Sequence, residues 1–374
     1  MKTPIKVGRI SGIDILIHYS WIFIFILLTW SLAQGFFPAY APGGSTLAYW
    51  LLGAAAAGLL FVSVLLHELA HSIVARSRGL PVKNITLFIF GGVSNIEKEP
   101  ESPQTELRMA VVGPVTSLVL SGIFWGVFYL IGTQHSLGGA LIYYLALVNL
   151  LLGAFNFLPG FPLDGGRVLR AYLWRRSGNM VRATETAATV GRYIGWGFIG
   201  FGVFYLFQGN FLGGLWIAFI GWFLASTADA SRQEITMKQY LSGVRVQEVM
   251  DAKLDTTSPA TPVQELVHDI IQKHGRRAVP VVTGGSVVGI ITLTDLKGLS
   301  QAKWPETLVE QVMTRPPLYT VTPDDELASA MKLMAEHNLN QLLVMRDGEL
   351  VGVVSRADVI RYLQFREELG LQPK

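Results

Sequence analysis

The chain contains no cysteine, and this absence removes several kinds of site from consideration. Without thiolates it cannot form disulfides, iron–sulfur clusters or cysteine zinc sites, which leaves histidine and carboxylate groups as the strong metal ligands. Charged residues are also scarce, at 15% of the chain against about 25% in an ordinary soluble domain. The net charge of +3 is too small to indicate a nucleic-acid partner. The composition therefore points toward a lipid environment.

Long apolar runs dominate the first 230 residues. Six of them can cross about 30 Å of hydrocarbon, and we predict membrane spans at 14–34, 48–75, 109–132, 140–158, 190–208 and 211–229. The first run starts too late and continues too long for a cleaved signal peptide. Loops without Lys or Arg, such as 35–47 and 133–139, alternate with basic ones. The positive-inside rule therefore predicts that both termini are cytoplasmic.

Residues 80–98 differ from the spans, because apolar and polar residues alternate there and Gly91-Gly92 follows. This pattern predicts a short β-hairpin at or in the membrane. Non-helical backbone is tolerated at that depth only where protein or a water-filled cavity satisfies its polar groups. A strand at 85–96 would offer an edge to which an extended substrate could pair.

The remainder of the chain has the composition of a soluble protein and is internally duplicated. VQEVM at 246–250 recurs as VEQVM at 309–313, and GIITLTD at 289–295 recurs as GVVSRAD at 352–358, both 63 residues later. Each copy reads strand, helix, two strands, helix, and such a unit pairs with its twin around one core. We therefore predict a membrane domain at 1–230, a linker at 231–243, and repeated domains at 244–303 and 304–366.

The sequence HELAH, at 67–71, carries the strongest chemical signal. His67 and His71 face the same way on a helix, so both imidazoles can bind one metal ion. Glu68 is then close enough to take a proton from an attacking water. A carboxylate at the centre of a membrane helix costs about 2.5–3.5 kcal/mol, so a metal or a cavity should compensate for it. The alternative is a cytoplasmic helix end where the three groups merely reach the headgroups.

A hydrolytic zinc site needs a third protein ligand and one open position. The best candidate is Asp164 in FNFLPGFPLDGGRVLR, at 155–170. Pro159 and Pro162 interrupt the helix, which lets Asp164 turn inward near the depth of HELAH. The alternative is that Asp164 caps a helix that starts at Gly165.

Asn156 belongs to the same segment and is a candidate catalytic residue. Its amide could donate to a developing oxyanion or hold the substrate backbone. A hydrogen bond to another helix of the bundle would explain this residue almost equally well.

Two other classes of protein compete with a hydrolase. A transporter or channel gated by the duplicated C-terminal region would need polar residues along several spans. In this chain the polar residues of the spans cluster in two motifs instead. A catalytically inactive scaffold would more typically have lost Glu68 or one of the candidate metal ligands. Glu68 and the candidate ligands His67, His71 and Asp164 are all present.

HELAH in an apolar span, followed in a later span by NFLPGFPLDGG, resembles the site-2 protease family of intramembrane zinc metalloproteases over most of residues 10–229. The absence of room for a PDZ insertion between the third and fourth spans resembles the PDZ-free branch. The resemblance implies cleavage of peptide bonds in or near transmembrane helices of membrane proteins. It also implies one catalytic zinc ion held by His67, His71 and Asp164, with Glu68 as the general base. The hairpin around Phe90, Gly91 and Gly92 would then handle the substrate.

The duplicated tail resembles a tandem pair of CBS domains, as found fused to some members of that family. Such pairs often bind ATP, ADP or AMP, with a hydroxyl and an Asp on ribose and phosphate, which implicates Thr292, Asp295, Ser355 and Asp358. Other pairs act mainly as dimerisation modules, so a homodimer is the alternative role. The expected fold is a polytopic α-helical membrane domain of about six transmembrane helices with a short membrane-associated β-hairpin, followed by a soluble α/β tandem CBS domain pair.

Overall fold

The structure is a computed structural model and describes residues 4–131, 136–241 and 243–369. It divides into two compact units, Met1–Ile235 and Thr236–Lys374. Parts of some predictions lie outside the described residues: the N-terminal Lys2, the end of the third span at 132, residues 133–135 of the loop 133–139, and Ser242 of the linker.

Long helices build the first unit. Their bounds are Ser20–Ser31 (α1), continued by a π-helical turn at Leu32–Phe36 and by Phe37–Tyr40 (α2), then Thr46–Ser77 (α3), Pro103–Ile131 (α4), Leu137–Asn156 (α5), Asp164–Ser177 (α6), Met180–Phe207 (α7) and Phe211–Leu241 (α8). Within the described residues, six helices are long and apolar enough to cross a membrane. The predicted number of spans is confirmed. Most of the predicted linker at 231–243 continues α8 as helix.

A four-stranded sheet accompanies the helices, in the order β1-β2-β3-β4. Its strands are Ile5–Ile10 (β1), Ile13–Ile17 (β2), Val82–Phe88 (β3) and Gly91–Ile96 (β4). The predicted hairpin is β3–β4, and β4 is an edge strand as the sequence indicated. β2 pairs in parallel with β3 and antiparallel with β1.

The predicted start of the first span at residue 14 is wrong, because β2 occupies 13–17 and the membrane-capable segment is Ser20–Tyr40. Apolar residues alternate in IDILI, and Ile13 and Ile15 are buried on one face while Asp14 lies between them. This two-residue period fits a strand rather than a helix. Pairing with β3 then satisfies the backbone groups of β2.

The second unit contains the duplicated α/β units. The helices are Val263–Glu265 (α9) continued by a π-helical segment at Leu266–Gln272, Leu293–Leu296 (α10), Val309–Val312 (α11), Leu327–Glu336 (α12) and Arg356–Glu368 (α13); the strands are Ala278–Thr283 (β5), Ser286–Thr292 (β6), Thr320–Val321 (β7), Gln341–Arg346 (β8) and Glu349–Ser355 (β9). β5–β6 and β8–β9 are matching antiparallel pairs. The predicted order of strand, helix, two strands and helix begins with β7 in the second copy. In the first copy the corresponding strand is reduced to a single β-bridge between Thr257 and Val281.

The two copies exchange their leading segments. Val244 and Val246, at the start of the first copy, are fully buried in the core of the second copy. Val309, which precedes α12, is fully buried in the core of the first. Each copy therefore needs the other to complete its core, as expected for a repeat that cannot bury its apolar face alone.

Candidate active site

Helix α3 positions the residues of HELAH. It begins after Ser45, whose hydroxyl accepts a hydrogen bond from the backbone N–H of Ala48 at 3.2 Å. His67 and His71 lie one helical turn apart, and each side chain is 5% exposed. The helix therefore holds both imidazoles on one buried face, as the sequence predicted.

Asp164 faces these histidines from a different helix. α5 ends at Asn156, a loop without helix follows, and α6 begins at Asp164. The Asp164 Oδ2 atom lies 3.0 Å from the Nε2 atom of His67 and 3.0 Å from that of His71. The cap of α6 is Leu163, so the alternative role of Asp164 as a helix cap is wrong.

Helix α4 supports both imidazoles from behind. The Nδ1 atom of His71 lies 2.6 Å from the carbonyl oxygen of Met109, and that of His67 lies 2.9 Å from the hydroxyl of Ser117. Between these two contacts, Gly113 brings the α4 backbone so close that a Cβ atom there would lie 2.1 Å from His71 Nε2. The rings are thus fixed by hydrogen bonds on one side and by backbone on the other.

The cluster fits a divalent metal ion such as zinc. A carbonyl oxygen only accepts, so the Met109 contact places a hydrogen on His71 Nδ1 and leaves the Nε2 lone pair directed at Asp164. Two acceptor atoms 3.0 Å apart repel each other, and either a proton on the ring or a metal ion held by both groups removes that repulsion. Ligand atoms about 2.0–2.1 Å from a tetrahedral zinc lie roughly 3.3 Å apart, close to the observed spacing. Histidine zinc ligands commonly donate their other N–H to a carbonyl in this way.

Glu68 is held by the edge strand β4. The hydroxyl of Ser94 donates to Glu68 Oε2 at 2.7 Å, and the hydroxyl of Ser72 donates to Ser94 at 3.1 Å. Gly92 lies on the same face of β4, where a Cβ atom would lie 2.6 Å from Glu68 Cγ. The hairpin therefore lies directly against the carboxylate and orients it.

A cavity of about 340 Å³ opens beside the cluster. Its lining brings together most of the residues that the sequence singled out: His67, Glu68, Phe90, Gly91, Gly92, Asn156 and Asp164. The Asn156 amide nitrogen donates to Leu152 of its own helix at 2.9 Å, rather than to another helix. Phe90, at the hairpin tip, stacks on Phe223 of α8 at 4.3 Å between ring centroids. His71 is absent from the described lining of the cavity.

Ser94, Gly113 and Ser117 contact the cluster or Glu68 but were not predicted from the sequence. Gly113 and Ser117 are four residues apart and share one face of α4. Small residues at that spacing in an apolar span indicate close helix packing, which was the available signal. The signal does not say what lies opposite, and the histidines they contact are 42 to 50 residues away in the chain.

A buried ion pair joins α4 to α6. The guanidinium of Arg170 donates to Glu106 Oε1, from Nε at 2.6 Å and also from Nη2. Glu106 is fully buried and Arg170 is 7% exposed. Since Asp164 is the first residue of α6, this pair helps to keep the carboxylate beside α3.

We expect Arg170→Leu to lower the thermal midpoint of the purified protein strongly, because Glu106 stays buried and loses both of its hydrogen bonds from Arg170, with only Arg167 left 3.9 Å away. Breaking a buried pair in this way costs about 3–5 kcal/mol. Replacing both residues by leucine should recover most of the loss. The exposed Arg176 on the same helix provides the control, since Arg176→Leu should change little. Equal effects of the two arginine substitutions would contradict a structural role of the pair.

The residues implicated in nucleotide binding lie in two clefts of the second unit. Thr292 and Asp295 line a cleft of about 370 Å³, here called the Thr292 cleft. Ser355 and Asp358 line a cleft of about 480 Å³, here called the Ser355 cleft. Each hydroxyl donates to its own Asp, at 2.8 Å in the first pair and 2.5 Å in the second.

A bundle of membrane-capable helices that encloses a buried His-His-Asp cluster, a carboxylate and a cavity defines a membrane metalloenzyme of the hydrolytic kind. Two family models match the chain: Peptidase family M50 over 55–140 and 133–198, and CBS domain over 246–301 and 309–364.

The chain is 38% identical over 370 residues to Rip3 of Mycobacterium tuberculosis, covering 97% of this chain and 93% of that protein. It is 29% identical over 376 residues to zinc metalloprotease MJ0392 of Methanocaldococcus jannaschii, covering 99% of each chain. The solved site-2 protease from the same archaeon is 29% identical, with a TM-score of 0.43 over 62% of this chain and 95% of that one.

The chain belongs to peptidase family M50, the site-2 proteases, and carries two CBS domains. It is a multi-pass membrane zinc metalloprotease. The predicted family, fold class and enzyme class are confirmed.

Proposed function

We propose that the protein hydrolyses peptide bonds in or near transmembrane helices of membrane protein substrates. The observation that carries this proposal is a cavity inside a bundle of membrane-capable helices. Glu68, the cluster residues His67 and Asp164, and the hairpin tip at Phe90 all line this cavity. In the proposal, His67, His71 and Asp164 hold the zinc ion. A zinc ion in such a site supplies a Lewis acid that makes water nucleophilic at neutral pH.

Glu68 is the general base in this proposal. Its carboxylate lines the cavity and accepts a hydrogen bond from Ser94, which fixes one oxygen. It takes a proton from the attacking water and returns it to the leaving amine. Asn156 lines the same cavity, where an amide can stabilise the developing oxyanion or hold the substrate backbone.

The edge strand β4 presents the substrate in an extended form. A helical substrate hides its carbonyls in bonds between residues i and i−4, so it must unwind before it can be cut. β4 bonds only to β3 among the described strands, and Val93 on its outer face is 51% exposed. Its other edge can pair with an unwound segment, with Phe90, Gly91 and Gly92 at the cavity.

We expect helix-breaking residues to speed the cleavage of a membrane-spanning reporter. A proline in a helix interior costs about 3 kcal/mol, so a Pro-Gly pair beside the cleavage site should raise the initial rate about tenfold or more. Cleavage is measured on purified enzyme and reporter in detergent, by the appearance of the shorter product.

The matched control is a reporter with the same Pro-Gly pair at the opposite end of its helix, which should be cut at the original rate. If both positions accelerate cleavage equally, or neither does, local unwinding is not what limits the reaction.

The CBS unit is proposed to regulate this activity by binding an adenine nucleotide. A nucleotide that binds one arrangement of the unit more tightly shifts the population of conformations. Saturating AMP or ATP should therefore change the cleavage rate or the thermal midpoint, and no change in either would refute regulation. Homodimerisation through this unit and the cytoplasmic side of both termini stay predictions from the sequence.

A further inference from the structure

The two clefts of the CBS unit are related by the 63-residue repeat, but their linings differ. Leu318 and Leu339 line the Thr292 cleft. The residues at the same two repeat positions in the Ser355 cleft are Asp255 and Arg276. An apolar pair in one cleft is therefore replaced by an acid and a base in the other.

The charged residues of the Ser355 cleft form a closed network. Arg276 donates to Asp251, to Asp255 and, at 2.6 Å, to the carbonyl oxygen of Lys253. His274 Nδ1 lies 2.9 Å from the second oxygen of Asp255. Hydrogen bonding to Arg276 lowers the pKa of Asp251, and although burial alone would raise the pKa of Asp255, Arg276 and His274 lower it. The network is thus charged at neutral pH and fills the position of the two leucines.

The Thr292 cleft has an apolar wall suited to a flat ring. Leu318 and Leu339 are half-buried in it, and Leu343, which also lines it, is buried. Tyr319 also lines the cleft and stacks on His337 at 4.0 Å between ring centroids. A purine can pack on such a surface, which combines aliphatic and aromatic side chains.

The Ser355 cleft has several basic residues that could attract a phosphate, but most of them already have partners in the protein. Arg356 donates to the carbonyl oxygens of Met334 and Leu339, at 2.8 and 2.9 Å. Arg361 lies 3.5 Å from Asp358. Arg277 lines both clefts, so a phosphate can reach it from a nucleoside in the Thr292 cleft.

We infer that the CBS unit binds one adenine nucleotide per chain, with base and ribose in the Thr292 cleft and phosphate toward Arg277. The Ser355 cleft takes no base, because the Arg276 network occupies the place where the base would pack. Burying a base there would require breaking that network and desolvating its charges. This inference rests on the proposed nucleotide binding and assigns it to one of two similar clefts.

The test compares Asp295→Asn with Asp358→Asn in the full-length protein, titrated with AMP and with ATP by calorimetry in detergent. Both Asp residues make the same bonds to their own Thr or Ser, and each has one further neighbour, Thr314 at 3.4 Å from Asp295 and Arg361 at 3.5 Å from Asp358, so the structural costs of the two substitutions are similar. The wild type should bind one nucleotide, Asp295→Asn should weaken binding about tenfold or more, and Asp358→Asn should change it by less than about twofold.

Substitutions at the distinguishing positions give a second, independent readout. Leu339→Arg should abolish binding, whereas Leu339→Met should keep it. Replacing both Asp255 and Arg276 by leucine should raise the stoichiometry from one to two. A stoichiometry that stays at one would overturn the role given to the network.

Two equal sites in the wild type, or loss of binding in Asp358→Asn alone, would overturn the choice of cleft while leaving nucleotide regulation standing. If the wild type binds neither AMP nor ATP, the proposed nucleotide binding fails, and the choice of cleft fails with it. The two failures are therefore distinguishable.

Discussion

Glu68→Gln should abolish cleavage of a membrane-spanning reporter while leaving the zinc content near one ion per chain. The amide keeps the shape of the side chain and can still accept the hydrogen bond from Ser94, which now donates at 2.7 Å. It cannot take a proton from the attacking water, and loss of a general base lowers rates by about 10²–10⁴-fold. The histidines and Asp164 are unchanged, so metal binding should survive. Initial rates and zinc per chain, measured on the same preparation, check both parts.

A matched control is Glu97→Gln, which removes an exposed carboxylate just after β4 and should leave both readouts unchanged. Loss of zinc together with activity in Glu68→Gln would mean that Glu68 acts on the cluster rather than on water. Cleavage at the wild-type rate would remove Glu68 from the mechanism altogether.

The candidate site could be predicted largely from two short motifs, because in each the residue spacing itself determines the local backbone geometry. The four-residue spacing of His67 and His71 places both imidazoles on one helix face wherever that helix lies. Pro159 and Pro162 require the fourth span to break, and the structure places Asp164 at the start of the next helix. Length and apolarity similarly sufficed to predict the six spans, since few other structures bury such runs.

The parts that were missed depend on contacts between distant segments. β1 and β2 become part of the sheet only because β2 pairs with β3, about 70 residues further along the chain. The two-residue period of IDILI covers only five residues and runs directly into the apolar stretch that follows, so the sequence predicts it as the start of the first span. Likewise, Ser94 orients Glu68 through a contact across 26 residues, and a serine in a hairpin carries no sign of its partner. Such pairings come from tertiary packing rather than from local pattern.

Three helices and one strand therefore contribute residues or contacts to the candidate site. α3 supplies the histidines and Glu68, α6 supplies Asp164, β4 orients Glu68, and α4 contacts both rings. Of these, α4 contributes no predicted ligand, and its role rests on its backbone and small side chains. The most specific consequence concerns Gly113, where the helix comes closest to the metal position.

Gly113→Ala should eliminate both zinc binding and cleavage. The new Cβ atom would lie 2.1 Å from His71 Nε2 and 2.7 Å from His67 Nε2, distances that carbon and nitrogen cannot reach without displacement. The His71 ring cannot turn away without losing its hydrogen bond to Met109 and moving Nε2 from Asp164. Misplacing a ligand should lower metal affinity by at least the 10–100-fold seen when its supporting partner is lost. Zinc per chain after dialysis and the initial cleavage rate are the measurements.

The same helix offers a matched control at Gly122, which is exposed and has nothing within 4 Å of the Cβ position. There the change to alanine should keep zinc and activity, with a thermal midpoint equal to or slightly above wild type, since alanine favours a helix interior by about 0.5–1 kcal/mol. The contrast separates crowding of the metal site from a general effect of alanine in α4. A Gly113→Ala protein that held one zinc ion per chain and cut the reporter at the wild-type rate would show that the rings can move aside, and α4 would then be only a packing helix.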